Sequence, residues 1–74
     1  MLQVDLKKTD LKLSRLIAAR CSGIGKVRSV KIHRDPSAFA LVEMANHYET
    51  LELAGQYGGP AFGQCAPIHL EQKG

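Results

Sequence analysis

Phe39 is the residue whose type and setting say most about chemistry. It stands in the run Ser37-Ala38-Phe39-Ala40-Leu41-Val42-Glu43-Met44, where side chains alternate between two faces and Phe39 shares a face with Leu41. A ring displayed on an open sheet face stacks on planar bases, each stacked base contributing roughly 1–3 kcal/mol. Gln3, His33 and His69 carry groups that hydrogen-bond base edges or stack modestly, and Lys31, Arg28 and Arg34 carry cations suited to phosphates. Together these residue types serve reversible binding of a single-stranded polyanion that has planar rings. Leu41 beside Phe39 also makes an apolar patch, which suits a protein contact better than a base. The alternative is therefore a protein-interaction domain, docking a partner or a second copy through the Phe39/Leu41 patch or a helix face.

Catalytic arrangements are missing from the pattern. No Ser-His-acid or Cys-His pairing is suggested, and Gly23-Ile24-Gly25 follows a helical segment, not a strand, so it is no phosphate loop. The chain is expected to be no enzyme, with no small-molecule substrate and no cofactor. Cys21 and Cys65 lie far apart without a CxxC spacing, and His33, His47 and His69 do not cluster with either. Reduced thiols and no metal site are expected. No apolar run approaches the roughly 18–20 residues a membrane helix needs, so no membrane partner is expected and the reading is a soluble intracellular domain, cytoplasmic or nuclear.

The net charge of +3 is unevenly spread. Residues 1–37 hold Lys7, Lys8, Lys12, Arg15, Arg20, Lys26, Arg28, Lys31 and Arg34 against Asp5, Asp10 and Asp35, whereas residues 38–74 hold Lys73 against Glu43, Glu49, Glu52 and Glu71. One basic side able to attract a polyanion is the consequence, with a solvated stripe Lys8-Lys12-Arg15 on a helix as the simpler account of part of it.

These side chains need elements to hold them. Leu2, Val4 and Leu6 alternate with polar residues as a first half-buried strand. Thr9 or Asp10 caps a helix whose apolar face holds Leu13, Leu16 and Ile17, and Ser22-Gly23 and Gly25 end it, a glycine taking the left-handed cap. Val27–Arg34 is a second strand with an irregularity near Arg28, where alternation breaks. Asp35-Pro36 turns the chain into the third strand. Asn46 caps a second helix that turns Leu51, Ala54 and Tyr48 inward and stops at Gly58-Gly59-Pro60. Ala66, Ile68 and Leu70 alternate in a last strand, where Pro67 favours an edge. Phe62 is expected in the core or as a cap on the sheet's end. The order β-α-β-β-α-β predicts a single α+β domain over residues 1–74. Its expected form is the ferredoxin-like sandwich: a four-stranded antiparallel sheet, first and third strands central, with two helices on one face.

The third strand resembles the signature of the RNA-recognition motif (RNP) family, K/R-G-F/Y-G/A-F-V-x-F/Y, at Phe39, Ala40 and Val42. Gly25-Lys26-Val27-Arg28-Ser29-Val30-Lys31-Ile32 is similar to the family's second strand, and Gly59-Pro60-Ala61-Phe62-Gly63-Gln64 to the stretch before its fourth. The resemblance spans nearly the whole chain and implies single-stranded RNA as partner. Gln3 stands where the family places its first-strand aromatic, Leu41 replaces the second third-strand aromatic, and Ser37 the leading basic residue. Losing two stacking platforms removes roughly 2–6 kcal/mol, which implies weak, salt-sensitive binding. Pro60 in place of an arginine and a basic first helix argue against the family's tryptophan-peptide mode.

Overall fold

The computed structural model describes residues 1–74. It runs β1 (Leu2–Val4), α1 (Asp10–Cys21), β2 (Val27–His33), β3 (Phe39–Met44), α2 (His47–Tyr57) and β4 (Cys65–Gln72). Short polar side chains start both helices. The Thr9 hydroxyl accepts from the Lys12 amide at 3.3 Å, and the Asn46 side-chain oxygen accepts from the Glu49 amide at 2.9 Å. Each satisfies an amide that the first helical turn leaves without a partner.

The helices end differently. Gly58, at φ 72°, closes α2 in the left-handed conformation that glycine adopts without strain. Ser22 closes α1 in ordinary right-handed geometry, and the Ile24 and Gly25 amides then turn back onto the Cys21 carbonyl. The expected glycine cap of α1 is thus replaced by a tightened last turn. The Asp35–Pro36 peptide, between β2 and β3, is cis.

The fold is α+β with a four-stranded mixed sheet in the order β1-β4-β3-β2. The β2–β3 and β3–β4 pairs are antiparallel, whereas β1 runs parallel to β4. This corrects the expectation of a wholly antiparallel sheet with β1 in the middle and β4 at an edge. The first strand is only three residues long, Leu6 lying beyond it, and it pairs Leu2 with Leu70 and Val4 with Gln72 at the far end of β4. The physical reason is burial: at this edge Leu2 and Val4 join the same core as Leu70.

Pro67 sits in an inner strand without breaking it. The Leu70 amide donates to the Ala38 carbonyl and the Lys73 amide to the Val4 carbonyl, so odd-numbered residues of β4 turn their backbone toward β1. Pro67 therefore lacks its N–H on the side that the short β1 does not reach.

One cluster holds the core, built from Leu2, Val4, Ala40, Val42, Met44, Ala66, Ile68 and Leu70 of the sheet and from both helices. α1 contributes Leu13, Ile17 and Cys21, close to its expected face. α2 buries Thr50, Leu53 and Ala54 instead of Leu51, Ala54 and Tyr48. Leu51 faces outward and Tyr48 is 83% exposed, because Leu53 and Ala54 set the helix phase against β4. Phe62, expected in the core, is 66% exposed at the turn where it bridges Cys65. Val27 and Ser29 are separated by the expected irregularity, Arg28 being the bulged residue. No helix is long and apolar enough to cross a membrane.

Candidate nucleic-acid interface

The helices cover one face of the sheet and leave the other open. Strand pairing arranges that open face in cross-strand rows: His33–Phe39–His69, then Lys31–Leu41–Pro67, then Ser29–Glu43–Cys65. The alternation of β3 thus puts Phe39 and Leu41 on the open face, while Ala40, Val42 and Met44 are buried behind.

The first row is aromatic across three strands. His33 and Phe39 stack with ring centroids 4.7 Å apart and planes 9° from parallel. His33 thereby backs one side of the phenyl ring, on the β2 side. The other side faces β4, where a cleft of about 390 Å³ opens between Phe39, Pro67 and His69 of the sheet and the Tyr57–Pro60 segment, with Ser37 at its end. Gly58 turns the chain out of α2 into this wall. Gly59 then approaches β4 so closely that a β-carbon there would lie 3.0 Å from the Pro67 carbonyl oxygen. The glycine pair, legible in the sequence only as a helix stop, builds one side of the cleft; Tyr57, Pro60, Pro67 and Ser37 were not anticipated as lining residues.

The remaining candidates divide. Lys31 is exposed one row from Phe39, beside a half-buried Leu41. Gln3 is exposed on β1 opposite Glu71, on the far side of β4 from Phe39. Arg28, in the bulge at the opposite end of β2 from His33, lines a separate groove with Arg15 of α1. Arg34 is spent within the chain. Its guanidinium donates to the Leu6 carbonyl at 2.6 Å, the Lys8 carbonyl at 2.9 Å and the Asp10 carboxylate at 2.9 Å, pinning the β1–α1 loop to the end of β2. That loop is braced again at Asp5, whose carboxylate accepts from the Lys7 amide and from Gln72. The hydrogen bond from the Lys7 backbone amide, then that from the Gln72 side-chain amide, holds the Asp5 carboxyl below its ordinary value.

The third row brings a carboxylate to the face. Glu43 accepts from the Ser29 hydroxyl at 3.2 Å, so the rings and Lys31 occupy one end of the sheet and an acid the other. No group of three or more His, Cys, Asp or Glu side chains is placed to hold a metal ion. The arrangement suits noncovalent capture of a flat ring: one aromatic surface backed by His33, a cleft beside it, and a cation one row away. No family model matches the chain, and no curated protein or solved structure matches it.

Proposed function

We propose that this chain is a non-catalytic RNA-binding module resembling the RNA-recognition motif, acting inside the cell and engaging single-stranded RNA weakly through the open sheet face. The observation that carries the reading is the stacked His33–Phe39 pair beside the cleft. A base entering the cleft extends the stack on the free side of Phe39, with Pro67 and the Gly58–Pro60 wall beyond it. His69 and Ser37 offer hydrogen bonds to its edge, and Lys31 draws the neighbouring phosphate. The β-α-β-β-α-β element order and the two-layer build support kinship with the ferredoxin-like, RNA-recognition architecture. The parallel β1 at the sheet's edge makes it a variant of that plan.

With one phenyl platform and few free cations on this face, binding is expected to be weak. It should fall with salt by a slope of about 0.7 per phosphate neutralised. The test is a chemical-shift titration of the labelled domain with short mixed-sequence single-stranded RNA at low and moderate salt. Shifts are expected at His33, Phe39, His69 and Gly58–Gly59, and Phe39→Ala is expected to weaken binding about tenfold, the equivalent of one lost stack. A sheet that stays silent in a folded domain overturns the proposal.

A further inference from the structure

The groove between α1 and β2 lies away from the aromatic row and holds about 230 Å³. Its floor is apolar and small, from Ala18, Val27 and Val30, and its rim carries Arg15 and Arg28. Leu11, one helical turn before Ser14 and Arg15, extends the α1 side and is 60% exposed. No acid lines the groove, and both of its arginines are exposed.

β2 is also an edge of the sheet, and its free backbone can be assigned. The Met44 amide donates to the Gln64 carbonyl and the Leu70 amide to the Ala38 carbonyl, so even-numbered β3 residues turn their backbone toward β4. Val30 and Ile32 pair with Val42 and Ala40, so they turn their N–H and C=O groups away from β3, into the open edge above the groove.

We propose that this edge takes an extended acidic segment of a partner protein as a fifth strand. The Val30 and Ile32 backbone supplies the ladder, the small floor receives alternate side chains, and Arg15 and Arg28 pair with the segment's carboxylates. Two features select the occupant. Alternating backbone donors and acceptors match a peptide, whereas a nucleic acid offers phosphates without a matching ladder. The cations favour an acidic occupant over a second copy, which would bring one basic edge against another.

The experiment titrates the labelled domain with a blocked six-residue peptide alternating aspartate and valine. Its lysine–valine counterpart, a form N-methylated at alternate backbone nitrogens, and hexauridylate serve as comparisons. Amide shifts are expected along Arg28–Arg34 and Ser14–Ala18, with slowed exchange at the Val30 and Ile32 amides, for the acidic peptide alone. N-methylation is expected to abolish them, and the doubly substituted Arg15→Glu, Arg28→Glu chain to weaken binding about tenfold, as two exposed ion pairs lost and reversed would do. A silent β2 edge, affinity indifferent to N-methylation, or equal shifts with hexauridylate would each overturn the proposal. Because the response is read at β2 and α1, it stands or falls separately from the Phe39 row.

Discussion

Cys21 has no exposed surface on the inner face of α1, and burial without a charged partner pushes its thiol up from the ordinary range. The fold therefore favours the protonated thiol. Its contribution is complete below the thiol's unfolded value and declines as pH rises from there through the higher folded value. Cys65 sits half-buried on the open face, across from Glu43. A thiol-reactive dye at pH 8 is expected to label Cys65 quickly and Cys21 only as fast as the chain unfolds. Cys65→Ser should remove the fast phase, and prompt labelling of both thiols would refute the burial of Cys21. Residue type alone did not distinguish these two cysteines, nor did it separate Arg34 from Lys31. Arg34 becomes structural only because folding brings the Leu6 and Lys8 carbonyls to it, a juxtaposition no local pattern encodes.

Between elements, the contact most sensitive to a single atom joins the start of β2 to α2. The Glu49 carboxylate accepts from the Lys26 amide at 3.0 Å, and the Lys26 carbonyl accepts from the Ala45 amide at 2.9 Å. A β-carbon on Gly25 would fall 2.3 Å from that carboxylate. Gly25→Ala is expected to cost about 1 kcal/mol by forcing Glu49 aside and stripping the Lys26 amide of its partner. In a Glu49→Ala background the same change should cost almost nothing, which denaturant melts of the double-mutant cycle would read directly. Equal costs in both backgrounds would refute the coupling. Strand faces were legible because their period of two is unambiguous: Phe39 and Leu41 on one side, Ala40 and Val42 on the other, with the break at Arg28. α2 was misphased because Tyr48, Leu51, Leu53, Ala54 and Tyr57 leave two overlapping apolar stripes, and only contact with β4 chooses between them. The cleft was illegible for a related reason. Its wall is glycine backbone, placed by the approach of Gly59 to Pro67 of β4 and not by any side-chain pattern.

For the whole molecule, the strand order converts a sequence asymmetry into a spatial one. α1 packs on β2 and α2 packs chiefly on β4, so Lys12, Arg15 and Arg28 share the α1–β2 flank. Glu43 and Glu49 reach that flank only through the Ser29 hydroxyl and the Lys26 amide, while Glu52 and Glu71 belong to other elements. The strand order was not legible, since a three-residue β1 carries too little pattern to choose its neighbour. That same placement bears on how the chain assembles in time. β2, β3, α2 and β4 follow one another in sequence and pair as neighbours, so their contacts close short loops. β1 must instead find Leu70–Gln72 across nearly the whole chain. It should dock after the rate-limiting step. Val42→Ala and Val4→Ala each remove buried methyl groups at a cost of about 2 kcal/mol, but stopped-flow folding and unfolding rates should divide them. Val42→Ala is expected to slow folding, whereas Val4→Ala should leave folding unchanged and speed unfolding. Equal slowing by both would place β1 in the nucleus. If they divide, the first strand made is the last to be secured, and the first to let go.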